Sequence, residues 1–232
     1  MTDSAPISAA PGHFITGTDT EVGKTLVCCA LLQRLREAGR PAVAMKPVAA
    51  GSALFDGRRG NEDAVALRRL VTPAPPYERI NPYLFDPPIA PHIAAERLGI
   101  VIDPGVIEGH YRYLRRHYSP VLVEGAGGWL VPLGPGLTMA DLARRLGLPV
   151  ILVVAIRLGC INHALLTVES IAAHGLSLAG WVATFPRPYE GVGSDIVASL
   201  ETRIPAPLLA VLPHDPDMTV ARAAAHFEDI GW

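Results

Sequence analysis

The sequence predicts an α/β fold with three layers, in which helices cover both faces of a mostly parallel central sheet as in P-loop NTPases. Apolar segments alternate with helical segments along all 232 residues. The segments 120–123 and 150–154 are continuously apolar, which is typical of strands buried on both faces. A Gly-bounded loop ending in Gly-Lys-Thr, at 17–25, joins a strand to a helix. These three observations together predict the fold class.

The apolar pattern divides the chain into strands and helices. Strands are predicted at 14–16, 42–45, 120–123, 150–154, 179–183 and 208–211. Helices are predicted at 24–38, 61–70, 103–118, 138–147, 161–174, 195–203 and after 219. The proline-rich stretch 72–91 is predicted to be irregular.

Capping residues support the predicted helix boundaries. Asn61 and Asp103 stand at N-cap positions, and a proline follows Asp103 at the first helical position. Thr138 and Asp141 have the spacing of a capping box. Gly39 follows the first helix at a position that favours left-handed backbone. The boundaries therefore follow from local chemistry as well as from periodicity.

Length and composition predict one domain over 13–232, with a disordered tail at 1–12. The net charge of −2 gives no electrostatic footprint for nucleic acid. The longest apolar run, 150–156, is too short to cross a bilayer, and the first residues lack the basic start of a secretory signal. Three cysteines without a Cys-x-x-Cys pair suit a reducing compartment. We expect a cytoplasmic protein that binds neither nucleic acid nor membrane.

The loop at 17–25 predicts binding of a nucleoside triphosphate. Backbone N–H groups of such a loop and of the following helical turn point into one concavity. Lys24 would place its charge near the β and γ phosphates, and Thr25 would offer its hydroxyl to Mg²⁺. Five residues separate Gly17 from Gly23, one more than in the common pattern.

Further candidates follow the other predicted strands, where parallel sheets bind ligands. Glu124 follows the strand 120–123 and precedes four small residues, which favours a metal-binding carboxylate. Lys46 follows the strand 42–45 and is predicted to contact a phosphate or a substrate. Asp63 lies in the first turn of a helix, where the helix dipole alone explains an acidic residue.

Five segments taken together resemble the dethiobiotin synthetase family. They are 16–25, 46–48, 81–83, 123–128 and 158–163, in family order between 14 and 213. The longer loop at 17–23 is itself a family trait. The resemblance implies an ATP-dependent ligase of biotin biosynthesis, which forms the ureido ring of dethiobiotin from 7,8-diaminononanoate and CO₂. It also implies Mg²⁺, a carbamate, a carbamic–phosphoric anhydride and a homodimer.

The resemblance assigns roles residue by residue. Catalysis is assigned to Lys24 and Lys46, and metal binding to Thr25, Asp63 and Glu124. The nucleotide is expected to contact Thr20, Glu21, Val22, Gly23, Lys24, Thr25, Thr184 and Pro213. The diamine and carbamate are expected to contact Thr20, Lys46, Ala50, Gly127, Gly159, Cys160, Ile161 and Asn162, the last four of them across the dimer interface.

Two positions depart from the family pattern. Ala50 stands where members commonly have Ser, and Thr184 stands where many have an Asn that meets adenine. The first change removes one substrate hydrogen bond. The second predicts weaker selection of the base, because one hydroxyl cannot make the two-point contact of an amide.

Two alternative functions are found in related proteins. A cobyrinate-type amidoligase would need a further glutaminase domain with a nucleophilic cysteine, for which the sequence has no matching motif. A partitioning or positioning ATPase would carry a signature lysine where Asp19 stands, and a basic or amphipathic surface. A dependence of hydrolysis on diamine and bicarbonate, rather than on DNA or lipid, separates these alternatives from the ligase.

Overall fold

The computed structural model describes residues 12–189 and 191–228. The predicted tail at 1–12 lies outside the described residues except for Gly12, which belongs to the first strand, so the tail boundary was wrong at that residue. The strands are β1 Gly12–Gly17, β2 Val43–Met45, β3 Val48–Ala50, β4 Ala53–Phe55, β5 Arg58–Gly60, β6 Tyr83–Phe85, β7 Val121–Gly128, β8 Pro132–Gly134, β9 Leu137–Thr138, β10 Val150–Ala155, β11 Leu178–Thr184 and β12 Leu208–Leu212. The helices are α1 Lys24–Glu37, α2 Glu62–Arg69, α3 Tyr77–Ile80, α4 Pro91–Arg97, α5 Pro104–His117, α6 Met139–Leu146, α7 Cys160–Ala173, α8 Gly193–Glu201 and α9 Val220–Ala224.

Six of these strands form the central sheet, in the order β12-β11-β10-β1-β7-β2. Every neighbouring pair in it is parallel. The carboxyl ends of all six strands therefore meet at one edge, where such sheets bind ligands. The predicted α/β class with a mostly parallel sheet is confirmed. No helix in the described part of the chain combines the length and apolar character needed to cross a membrane.

Burial explains the continuous apolar runs. Every residue of β1 and of β10 is buried, as expected for strands covered on both faces. The sheet packs into an apolar core that includes Phe14, Ile15 and Trp181, each with no exposed surface. Glu124 in β7 is the charged exception, because it too is fully buried. A buried carboxylate must be paired with a cation or with hydrogen-bond donors on neighbouring residues.

The predicted caps are confirmed. Asn61 Oδ1 accepts a hydrogen bond from the Ala64 N–H at 3.3 Å. Asp103 Oδ1 accepts from the Gly105 N–H at 2.7 Å. Thr138 and Asp141 form both bonds of the capping box that opens α6. These local signals were sufficient to locate α2, α5 and α6 to within one or two residues.

Two predictions about elements were wrong, and some short strands were not predicted. The stretch 72–91 is not irregular, because it holds α3, β6 and the start of α4. The hairpin of β4 and β5, between 53 and 60, was not predicted. Glu124 does not end its strand, since β7 continues to Gly128 through an irregular pairing with β1 between Ile15 and Gly17. Such an irregularity depends on the partner strand and leaves little trace in the local sequence.

Candidate functional site

A cleft of about 720 Å³ lies beyond the carboxyl ends of β1, β2 and β7. Of the predicted nucleotide contacts, Thr20, Glu21, Gly23, Lys24 and Thr25 line it. Of the other predicted site residues, Lys46, Ala50, Asp63, Glu124 and Gly127 line it as well. The fold therefore brings four separate segments of the sequence to one cavity.

The loop after β1 owes its shape to glycines. A Cβ atom on Gly17 would lie 2.4 Å from Val22 Cγ2, which leaves no room for a larger residue. Gly23 has a φ of +90°, in the region that glycine adopts without strain, and its carbonyl accepts the first hydrogen bond of α1 from Val27. The loop thus delivers Lys24 and Thr25 to the start of α1.

Lys24 lies within its own loop. Its Nζ donates a 2.9 Å hydrogen bond to the carbonyl oxygen of Asp19, and the residue is only 6% exposed. Burial, followed by the nearby charge of Lys46, lowers the pKa of Lys24 to about 8. Lys24 and Lys46 are the two lysines of the whole sequence, and both line this cleft.

A buried charge cluster stands beside this loop. Lys46 Nζ lies 2.5 Å from Glu124 Oε1 and 3.0 Å from Asp63 Oδ2. Thr25 Oγ1 donates to the same Glu124 oxygen at 2.9 Å. Burial alone would lower the pKa of Lys46, but the Glu124 and Asp63 carboxylates outweigh burial and raise it. Burial would raise the pKa of Asp63, but Lys46 holds it below its ordinary value.

The donor set of this cluster fits a magnesium ion. Thr25, Asp63 and Glu124 offer the oxygen ligands that hard divalent cations prefer. Glu124 Oε2 is buried and has no hydrogen-bond partner among the described residues, so it is an acceptor in need of a cation or donor. Within those residues no group of three or more His, Cys, Asp or Glu side chains could hold a metal alone. This agrees with an ion held by few carboxylates together with phosphate oxygens.

Thr184 does not face the cleft. Its hydroxyl donates to the carbonyl oxygens of Val22 at 2.8 Å and Val154 at 3.3 Å, and its side chain lies against Gly23. Val22 is itself buried in the core. The structure thus places Thr184 behind the loop as a support. Pro213 is exposed just beyond β12 and is not part of the described cleft lining.

The segment 159–162 lies apart from the cleft within one protomer. Gly159 has a φ of +88° at the N-cap of α7, and Cys160 is buried in the core. Ile161 is half-buried and Asn162 is exposed. The described lining of the cleft includes none of these four residues.

The cleft also holds residues that sequence reasoning did not assign to it. The segment 88–91, Asn61 and Val131 contribute to its lining. Asn61 was predicted only as a helix cap. The apolar run 88–91 ends in a proline that opens α4, and this helix-start signal lay unused inside the stretch predicted to be irregular.

Comparison with a family model and with solved structures identifies the fold. A family model described as an AAA domain matches residues 12–222. The MinC:MinD cell division complex of Aquifex aeolicus superimposes with a TM-score of 0.58 at 14% identity, covering 92% of this chain and 86% of the other. MinD with Mg-ADP from Pyrococcus horikoshii gives 0.55 at 19% identity, covering 88% and 82%. At these identities the likeness concerns the fold, which is that of the P-loop NTPases.

Sequence relatives define the family within this class. The ATP-dependent dethiobiotin synthetase BioD of Aromatoleum aromaticum is 52% identical over 212 residues, covering 91% of this chain and 94% of the relative. Proteins of the same name from Pseudomonas paraeruginosa and Pseudescherichia vulneris are 47% and 44% identical, and the aligned regions cover at least 91% of each chain. The chain therefore belongs to the dethiobiotin synthetase family, whose members are ligases. The predicted resemblance is confirmed, and it is favoured over the amidoligase and the positioning ATPase.

Proposed function

We propose that the protein closes the ureido ring of dethiobiotin from 7,8-diaminononanoate, CO₂ and ATP, as a step of biotin biosynthesis. The observation that carries this proposal is the cleft in which the Lys24 loop meets the cluster of Lys46, Asp63 and Glu124. Membership of the dethiobiotin synthetase family supplies the reaction.

The chemistry proceeds in three steps. One amine of the substrate attacks CO₂ and loses a proton, giving a carbamate. A carbamate oxygen then attacks the γ-phosphorus, and ADP leaves. The second amine attacks the carbonyl carbon of this carbamic–phosphoric anhydride and loses a proton, phosphate leaves, and the ring closes. Positioning and charge stabilisation are what the protein must supply for such a phosphoryl transfer.

The two lysines fit the second step. Lys24 donates to the Asp19 carbonyl and would exchange this partner for the phosphates. Lys46 remains charged because two carboxylates raise its pKa, so it can stabilise the transferring phosphoryl group and the carbamate. Loop N–H groups from Thr20 to Thr25, together with Glu21, would hold the nucleotide. Thr184 and Pro213 remain predicted nucleotide contacts.

Thr25, Asp63 and Glu124 would hold Mg²⁺ in this proposal. The ion, when bound with the nucleotide, neutralises charge that develops on the phosphate oxygens. Thr25 and Glu124 already share a hydrogen bond, so their oxygens are close together without it. Lys46 Nζ contacts both Asp63 and Glu124, so it would share these two carboxylates with the ion.

Thr20, Lys46, Ala50 and Gly127 would contact the diamine and carbamate from one protomer, since they line the cleft. The segment 159–162 would reach the substrate tail from the second protomer of a homodimer. Its position outside the cleft lining of its own protomer supports this part of the proposal. The cytoplasmic location also belongs to the proposal and is supported by three free, buried thiols.

Mass spectrometry tests the proposal directly. Purified protein is incubated with 7,8-diaminononanoate, ¹³C-bicarbonate, ATP and Mg²⁺, and dethiobiotin carrying one ¹³C atom is expected. Reactions without bicarbonate, or with a Lys24→Ala variant, should give none. ATP hydrolysis that ignores the diamine and bicarbonate but responds to DNA or lipid vesicles would contradict the ligase and favour the positioning ATPase.

A further inference from the structure

Asn61, Tyr77 and Asn81, next to the charge cluster, are joined in one chain of hydrogen bonds. The Tyr77 hydroxyl accepts from the Asn61 N–H at 2.8 Å and donates to Asn81 Oδ1 at 2.9 Å. Asn61 and Asn81 are buried, at 8% and 3% exposure. Buried amides are kept only where their partners are well placed, so this chain imposes a defined geometry.

Asn81 holds the backbone at Lys46. Its side-chain amide donates to the carbonyl oxygen of Lys46 at 2.8 Å and to that of Tyr83 at 3.1 Å. The Lys46 N–H in turn donates to the carbonyl oxygen of Ile80 at 2.9 Å. Both backbone polar groups of Lys46 are therefore fixed by the segment 80–81, beyond the end of β2.

Asn61 holds the other end of the segment that begins at Lys46, residues 46–51. Its Nδ2 donates to the carbonyl oxygen of Gly51 at 2.9 Å, while its Oδ1 caps α2. The first turn of α2 carries Asp63, which contacts Lys46 Nζ. One side chain thus sets both the end of the segment 46–51 and the start of the helix that carries an acid of the cluster.

We infer that Asn61, Tyr77 and Asn81 are positioning residues for the reaction. Tyr77 joins the backbone N–H of Asn61 to the side-chain amide of Asn81, so the network fixes Lys46, the Ala50 wall of the cleft and Asp63 relative to one another. None of its bonds involves the loop at 17–25. The network therefore acts on the charge cluster and the diamine subsite. It makes no direct bond to the loop that would bind the phosphates. This inference rests on the proposed function.

A Tyr77→Phe variant tests the inference by removing a single oxygen atom. Without it, the Asn61 N–H loses its acceptor and Asn81 Oδ1 loses its donor. Small displacements of positioning groups cost much rate, so we expect kcat to fall by about tenfold or more. We expect the KM for the diamine to rise several-fold. The Kd of a non-hydrolysable ATP analogue, measured by calorimetry without diamine and without Mg²⁺, should stay within about twofold of wild type.

Tyr118→Phe is the matched control. The Tyr118 hydroxyl also donates one hydrogen bond, to the backbone carbonyl of Pro73 at 2.8 Å instead of a side chain, but Tyr118 is not part of the described cleft lining. Its kinetics should equal wild type. If thermal melting shows that the Tyr77→Phe variant is not folded, the Asn61→Ser variant is used in its place. Ser keeps the helix cap and the backbone N–H, but its side chain is too short to reach the carbonyl oxygen of Gly51. That variant should raise the KM for the diamine selectively.

Two results would overturn the inference. One is equal kinetics for the Tyr77→Phe and Tyr118→Phe variants. The other is a fall of kcat accompanied by an equal loss of affinity for the ATP analogue, which would indicate a general structural role. Both results require a wild-type protein that makes dethiobiotin. Failure of the wild type to do so would instead contradict the proposed function.

Discussion

The Thr25 hydroxyl donates a 2.9 Å hydrogen bond to Glu124 Oε1, although the two residues are 99 positions apart in the sequence. Thr25 opens α1 and Glu124 lies in β7, the strand next to β1. The fold therefore places the hydroxyl of the loop and the buried carboxylate within reach of one ion. Lys46 contacts the same carboxylate oxygen, so three segments meet at this atom.

Removing a carboxylate charge should raise the requirement for magnesium. We expect Glu124→Gln and Asp63→Asn to increase the Mg²⁺ concentration at half-maximal rate on the order of tenfold, since each removes one anionic ligand. Glu62→Gln is the control, because Glu62 is an exposed acid in the same helical turn as Asp63. Titration of Mg²⁺ at saturating ATP measures the effect. Unchanged midpoints in both variants would show that these residues are not metal ligands.

The two lysines should differ in reactivity toward an amine reagent. They are similarly buried, at 6% and 5% exposure, but burial lowers the pKa of Lys24 to about 8 while carboxylates raise that of Lys46. At pH 8 about half of Lys24 is neutral and nucleophilic, whereas Lys46 is almost entirely charged. We expect acetic anhydride to modify Lys24 several-fold faster, as followed by peptide mass spectrometry. Equal rates, or faster modification of Lys46, would contradict this assignment of charge.

Nucleotide provides the internal control for that labelling experiment. Phosphates bound by the loop would draw Lys24 away from the Asp19 carbonyl and cover it. ATP added without metal should therefore slow modification of Lys24, and adenosine at the same concentration should not. The α-amino group, whose ordinary pKa is about 7.7–8.0, serves as the reference amine in every sample.

Much of this site could be predicted from the sequence because its signals are local or follow from parallel pairing. Gly17, Gly23 and Lys24 belong to one loop, whose strand and helix neighbours are visible in the apolar pattern. Lys46 follows β2 and Glu124 lies within the neighbouring strand β7, and they prove to lie 2.5 Å apart. Local rules and one topological rule were enough for these residues.

The remaining features depend on contacts that no local pattern reports. Thr184 was expected to meet the nucleotide base, but its hydroxyl bonds to Val22, which is 162 positions away. Tyr77 lay in a stretch predicted to be irregular, so its bonds to Asn61 and Asn81 could not be anticipated. In both cases the partner is chosen by tertiary packing, which outweighs local propensity.

The dimer prediction is tested by complementation. If Asn162 reaches the substrate across a dimer interface, a heterodimer of Asn162→Ala and Lys24→Ala protomers contains one site with both wild-type residues. After subunit exchange of an equal mixture, about a quarter of the sites should be intact, because half of the dimers are mixed and each holds one such site. Activity is measured at low diamine concentration, where each variant alone is poor. No recovery in exchanged mixtures would place the whole site within one protomer.

His13 should make the stability of the protein depend on pH. This residue of β1 is 8% exposed, and burial lowers its pKa from 6.5 to about 4. Between these values the unfolded chain binds a proton that the folded chain excludes. Stability is therefore full above pH 6.5 and falls as the pH approaches 4, by up to about 3 kcal/mol.

Urea unfolding between pH 7 and pH 4 measures this contribution. We expect His13→Asn to have a shallower decline of the unfolding free energy with falling pH than the wild type. His214→Asn, at an exposed position, is the control and should follow the wild type. A variant at position 13 with the wild-type pH dependence would show that another group is responsible.

The last prediction concerns the nucleotide base. Paired donors and acceptors in a site can reject the wrong base strongly, because unmatched buried polar groups are costly. Thr184 has no such pair to offer, and its one hydroxyl is already committed to the carbonyl oxygens of Val22 and Val154. We therefore expect the phosphates and Mg²⁺ to carry most of the affinity, with CTP and GTP supporting activity within about tenfold of ATP, or ~1.4 kcal/mol. Measurement of kcat/KM for the four triphosphates decides the point.

A Thr184→Val variant should change the rate through the loop at Val22 but leave the ratios between bases unchanged. A preference for ATP above about a hundredfold, or ~2.8 kcal/mol, would show that other groups, such as the backbone near Pro213, read adenine.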